Sequence, residues 1–140
     1  MLYLGRPRDS VVVEAYRRLV DPFPGMNGAM VAPRRLYHCS VSVEEILDLR
    51  PAASLAAVGL TREDLEGAYP RCQEIGQAAH QLGLHGVIAS AATSIGETLA
   101  LFTRHLPATE QPGIVDEEVW ETLPADPRKL RLIRGEGAPG

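Results

Sequence analysis

Glu14 lies inside an apolar stretch, with Val11, Val12 and Val13 before it and Ala15 after it. A carboxylate in that setting has two uses. It can be a surface acid paired with Arg17 or Arg18, three and four residues on, which adds about a few tenths of a kcal/mol to a helix. Held partly desolvated at a cleft, it can instead stabilise positive charge developing at a sugar carbon. Ser90 closes a short apolar run and enters a loop of small residues, where a rigid element can aim a hydroxyl at a ligand or a serine can simply start a turn. No His–Asp pair is arranged around it, so it is not read as a triad nucleophile. Tyr3 is by default a core aromatic whose hydroxyl finds a backbone partner. Arg6, Arg8, Arg34 and Arg35 carry the planar fork that grips phosphate by paired hydrogen bonds, although solvated arginines beside prolines are common. His38, His80, His85 and His105 have no ligand spacing, so no metal site is expected.

These residues need elements to position them. Met1-Leu2-Tyr3-Leu4 reads as a strand already in progress, without a turn before it, which suggests further chain upstream. Helical spacing over residues 10–20 puts Val11, Ala15 and Leu19 on one face, with Ser10 or Asp9 as cap, and Pro22 and Pro24 end the helix. Residues 21–33, rich in Gly and Pro, read as a loop and as a candidate lid beside Glu14. Residues 36–43 alternate with strand period, which predicts Tyr37, Cys39, Val41 and Val43 pointing inward. Residues 44–50 suggest a helical turn and then a short strand. Thr61 and Asp64 have capping-box spacing ahead of a helix over 62–68, a cap worth about 1 kcal/mol. A second helix is expected over 71–82, with Cys72, Ile75, Ala79 and Leu82 on one face and Gly83 as its stop. A buried strand over 86–90, a polar loop over 91–97 and a strand over 98–103 follow. From Pro107 the chain reads as a tail that wraps the core and frays after Gly135. The sum is α+β, with small β-sheets and surrounding helices and no regular βαβ alternation.

Composition narrows the function classes. A chain of 140 residues with 45% hydrophobic side chains can bury one core, so a single domain over residues 1–135 with a short flexible tail at 136–140 is expected. Against 18 acidic side chains stand 14 scattered Lys and Arg, and the net charge of -4 argues against direct nucleic-acid binding. No apolar run approaches the roughly 20 residues that cross a bilayer and no signal-peptide pattern opens the chain, so a cytoplasmic protein is expected. Cys39 and Cys72 fit small apolar residues in a reducing compartment. Without Gly-x-Gly-x-x-Gly or a Gly-Lys-Ser/Thr loop, a nucleotide would have to be held in another way.

Taken in order, the pieces resemble the RES domain, a family named for an arginine, a glutamate and a serine. Leu2-Tyr3-Leu4-Gly5 resembles its Leu-Tyr strand, Val13-Glu14-Ala15 its helix glutamate, Leu36-Tyr37-His38 with Ile46-Leu47-Asp48-Leu49 its middle strand and Leu-Asp-Leu ending, Gly86-Val-Ile-Ala-Ser90-Ala91 its serine motif, and Ala100-Leu101-Phe102 the strand after it. The similarity covers about residues 1–106. Two features depart from the pattern: the family's arginine, in a Gly-Gly-Arg-Trp-Asn-like segment, should precede the Leu-Tyr strand, and Ala89 stands where many members have proline.

The resemblance implies an ADP-ribosyltransferase-like fold and a toxin that degrades NAD, its substrate, at the nicotinamide–ribose bond. Glu14 and Ser90 would be catalytic, and Tyr3, Arg6 and Arg8 would hold the dinucleotide. Water, inorganic phosphate or a protein would be the acceptor, and no metal is implied. An Xre-type helix-turn-helix antitoxin would be the partner, with homo-oligomerisation left open. The alternative is a catalytically silent, shortened RES-domain protein that acts only by binding an antitoxin.

Overall fold

The computed structural model of the chain describes residues 1–66 and 70–129. Strand β1 (Leu2–Arg6) leads into helix α1 (Arg8–Leu19), followed by β2 (Arg34–Ser40), β3 (Ile46–Asp48), α2 (Ala52–Ala57), α3 (Arg62–Glu66), α4 (Pro70–Gln81), β4 (Gly86–Ser90), β5 (Glu97–Leu101) and β6 (Gly113–Trp120). Among the described residues two sheets form: a four-stranded one in the order β1-β5-β4-β3 and a two-stranded one, β2-β6. This is the expected mixed α+β architecture. β3 and β4 run parallel and the remaining pairs are antiparallel, so α2, α3 and α4 form the one crossover that a parallel pair demands.

The glycine that opens the serine motif has a packing reason. A Cβ on Gly86 would run into the carbonyl oxygen of Ala100 and meet Ile46 Cδ1 at 3.0 Å, so only glycine lets β4 sit between β3 and β5 here. Behind β3 and β4, Leu49, Leu55 and Leu60 form one apolar cluster with Leu47, Val87 and Ala89 against it. A second cluster, Val12, Tyr16, Val31, Trp120 and Leu123, joins α1 to β6 and the segment that follows it.

Helix α1 begins two residues earlier than its periodicity predicts. Pro7 is its N-cap, with no side-chain cap, and Ser10 is buried inside the first turn instead of capping it. The most buried apolar side chains of the helix are Val12, Val13 and Tyr16, while Val11, Ala15 and Leu19 flank the cluster. The capping box ahead of α3 is present in both directions: Asp64 accepts the Thr61 N–H at 2.8 Å and Thr61 Oγ1 accepts the Asp64 N–H at 3.3 Å. In α4, Ala79 is buried, but Leu82 lies past the last helical residue and is 78% exposed. The Cys72 side chain and the chain beyond Lys129 lie outside the described residues, as does the predicted fraying after Gly135.

Three expectations change. In β2, Leu36 and His38 are half-buried while Tyr37 faces solvent; Cys39 and Val43 are half-buried as expected, Val41 is exposed, and the strand stops at Ser40. A bulge between His38 and Cys39 then resets the alternation, which no period-2 reading can anticipate. Residues 41–45 hold no helical turn and lead directly into β3, with Glu45 at φ 53. Strand β6 lies in the stretch after Pro107 that reads as a tail, because its outward side carries Val115, Val119 and acidic residues without a clean apolar alternation.

The second half of the 21–33 segment packs onto the chain after β6. Val31 is buried, residues 28–30 form a 3₁₀ turn, and the Leu123 N–H donates to Gly28 O at 3.1 Å.

Candidate active site

A groove of about 790 Å³ opens between the two sheets, within the usual range for a small-molecule site. Its apolar floor follows from strand register. Leu4, Leu99, Ile88 and Asp48 stand opposite one another across β1, β5, β4 and β3, and residues so opposed project to one face. Leu36, Val41 and Val43 supply the facing wall, and Val11 of α1 closes one end.

Tyr3, Arg6 and Arg8 all border this groove. Tyr3 is not a core aromatic: it is 65% exposed on the edge strand. Register also puts Arg6, Glu97 and Ser90 in one row across β1, β5 and β4. Ser90, at the end of that row, borders a smaller hollow with Arg62, Leu65, Ala91, Ser94 and Gly96.

Glu14 does not line either space. Its carboxylate accepts from Arg18 Nε at 3.0 Å and lies 3.7 Å from Arg17 Nη1, all three at the surface. Its helix stripe nevertheless leads toward the site. Val11, three residues earlier, lines the groove, and Ser10, four residues earlier, has its Oγ 3.1 Å from Thr93 Oγ1 in the loop after Ser90. The structure thus gathers Tyr3, Arg6 and Arg8 at one groove with Ser90 at the end of its row, and sets Glu14 one helical turn beyond. Arg34 and Arg35 lie at the start of β2 away from these; Arg35 pairs with Glu117 at 3.1 Å.

Each arginine of the groove is matched by a carboxylate of the same groove or its wall. Arg8 grips Glu118 through Nε and Nη2, at 3.0 and 2.9 Å, and His38 Nε2 donates to the same carboxylate at 2.7 Å. Those bonds hold the Glu118 carboxyl at about 2, first through Arg8 and then through His38. Arg6 Nε donates to Glu97 Oε1 at 2.6 Å, and Arg50 Nη1 donates to Glu97 Oε2 at 2.8 Å. Arg50 also grips Asp48 through Nε and Nη2, at 2.9 and 2.8 Å. Hydrogen bonds from Arg50 lower the Asp48 carboxyl to about 2, and those from Arg50 and then Arg6 lower that of Glu97.

Sequence reasoning missed Asp48, Arg50, Glu97 and His38 as groove residues, and Glu118 as the carboxylate that pairs with Arg8 and His38. The only signal for them was the short Asp48-Leu-Arg50 spacing, in which an aspartate reaches an arginine two residues on. Among the described residues, no cluster of His, Cys, Asp and Glu could hold a metal ion, and no helix is long and apolar enough to cross a membrane.

The sequence matches the model of the RES domain family over residues 1–126. Among solved structures, the M. tuberculosis MbcT–MbcA toxin–antitoxin complex contains a chain similar to this one. The two superpose with a TM-score of 0.76 at 27% identity, over 94% of this chain and 70% of that one. No curated protein matches.

Proposed function

Because this chain belongs to the RES-domain family, we propose that it is the toxin of a toxin–antitoxin pair and that it consumes NAD by cleaving the bond between nicotinamide and ribose. The observation that carries the reading is the groove: about 790 Å³, apolar along its floor, with Arg6, Arg8 and Tyr3 at its border. A dinucleotide needs that combination, apolar surface for its bases and planar cationic forks for its pyrophosphate.

Bond cleavage passes through an oxocarbenium-like state, and a carboxylate close to the ribose favours it. Glu14 fills that role for a ligand that extends one turn along α1 past Val11. To do so its carboxylate leaves Arg17 and Arg18, pairs too exposed to hold it firmly. Ser90 and Tyr3 orient the dinucleotide, and Arg6 and Arg8 hold its phosphates. The acceptor is water, phosphate or a protein side chain. The partner that silences the toxin is an Xre-type helix-turn-helix antitoxin, in line with the toxin–antitoxin complex in which the structural neighbour occurs.

A second reading has one observation in its favour. Glu14 faces outward and the groove arginines are all paired, as a silent, antitoxin-binding relative would tolerate. Release of nicotinamide from NAD by the purified chain, with and without phosphate, separates the two. Turnover supports the enzyme and its phosphate dependence names the acceptor, whereas a folded chain without turnover supports the silent partner.

A further inference from the structure

We propose that Glu97 is an internal anion occupying the phosphate position between Arg6 and Arg50, and that a phosphate-bearing ligand enters the groove by taking these two guanidinium groups from it. The proposal rests on reading the groove as a nucleotide site, and it adds Arg50 as a ligand contact and Glu97 as the competitor.

The geometry is that of one anion shared by two forks. Glu97 Oε1 accepts from Arg6 and Oε2 from Arg50, at 2.6 and 2.8 Å, so each oxygen serves a different guanidinium. A phosphate group offers the same two acceptors with a third to spare. Glu97 is also the most enclosed of the three: its side chain is 21% exposed, against 69% for Arg6 and 42% for Arg50. It sits in the groove lining where an incoming anion would have to settle, and the two negative groups repel at that distance.

Arg50 remains in place when Glu97 gives way. Its two-pronged pair with Asp48 uses Nε and Nη2, leaving Nη1 as the nitrogen aimed at Glu97. Asp48 is therefore the positioning residue, and it stands in the Leu-Asp-Leu segment whose role the sequence alone does not explain. Arg6, largely in water, can follow the ligand. Both guanidinium groups reach solvent, which screens the pairs, and the exchange replaces one charge-assisted bond to each with another. With Asp48, Glu97, Arg6 and Arg50 all paired, the network has no net charge. It attracts a dianion only after Glu97 swings out.

The test is calorimetric titration of the full chain with inorganic pyrophosphate, orthophosphate and ADP at fixed ionic strength, for the natural sequence, Glu97→Gln and Arg50→Gln. Glu97→Gln is expected to bind at least about fivefold more tightly, and Arg50→Gln about tenfold more weakly. A gain confined to pyrophosphate and ADP assigns the position to a nucleotide bridge; a gain confined to orthophosphate assigns it to a phosphate acceptor. Glu97→Asp, too short to span both guanidinium groups, is measured beside Glu97→Gln and is expected to fall between it and the natural chain, which keeps the test intact should Glu97→Gln not fold. Equal or weaker anion binding by folded Glu97→Gln or Glu97→Asp overturns the proposal. NAD loss is followed on the same samples. Tighter anion binding without NAD turnover preserves Glu97 as competitor and removes the enzyme reading, and turnover with unchanged anion binding does the reverse.

Discussion

Arg8 and Glu118, 110 residues apart in sequence, meet through a two-pronged ion pair that ties the first turn of α1 to β6. The Arg8 guanidinium also lies 5.7 Å from the centre of the Trp120 ring, so one arginine joins the helix to the second sheet through both charge and aromatic contact. Because Glu118 titrates at about 2 in the folded chain and near 4.5 in its ordinary state, its bond stabilises the fold above pH 4.5 and is lost as pH falls from 4.5 toward 2. Glu118→Gln should therefore be less stable than the natural chain at pH 7, with the difference closing across that window. Urea melts at pH 7, 4 and 3 measure it, and a difference that does not shrink on acidification would contradict the assignment.

The segment after β6 is clamped to the turn that follows α1 by Arg128, which reaches Asp21 at 2.7 Å and Asp126 at 2.9 Å. Asp126 is buried, which opposes its ionisation, yet the hydrogen bonds from Arg128 win and its carboxyl stays below the ordinary value. Arg128→Ala strands that carboxylate and should cost about 1–3 kcal/mol. Tyr16→Phe, which removes the 2.6 Å bond to the Pro124 carbonyl, should cost about 1 kcal/mol. Both are read from denaturant midpoints; an Arg128→Ala midpoint within error of the natural one would refute the clamp.

Gly86→Ala should destabilise by about 1–3 kcal/mol, since the added methyl meets the backbone of β5 and cannot be relieved by moving a side chain. Gly76→Ala, with open space around the new methyl, is the control and should be neutral or mildly stabilising. Thermal melts of the pair distinguish a packing glycine from a merely permissive one.

Tyr3→Phe and Ser90→Ala should leave stability within about 0.5 kcal/mol, because Tyr3 is largely in solvent and Ser90 lies at a strand end. In the proposed enzyme each should still lower kcat/KM for NAD, roughly tenfold for a lost hydrogen bond to substrate. Unchanged kinetics in both variants would remove these hydroxyls from the site.

Much of this was legible in the sequence. The α+β class, the 86–90 strand and the capping box at Thr61 and Asp64 follow from local chemistry, which fixes caps and apolar period within a few residues; the family was legible only through resemblance, in the order of its motifs. The inward face of β2 was not legible, because the bulge at His38 and Cys39 depends on β6, seventy-odd residues later. For the same reason Arg6, Arg8, Glu97, Glu118 and Arg50 could not be seen as one paired set. Their ion pairs join residues 47 to 110 apart, and only sheet order brings them together. For Glu14, sequence offered two uses of the carboxylate; in the structure it pairs with Arg17 and Arg18 on the helix surface, three residues past the groove-lining Val11.

NAD loss over time by the purified chain, measured beside Glu14→Ala, tests the central claim most directly. The ion pairs of Glu14 are exposed helix-surface contacts, so the variant should stay folded and lose only about a few tenths of a kcal/mol. Turnover by the natural chain that falls at least about a hundredfold in Glu14→Ala is the predicted result. Turnover that survives the substitution undiminished would contradict it.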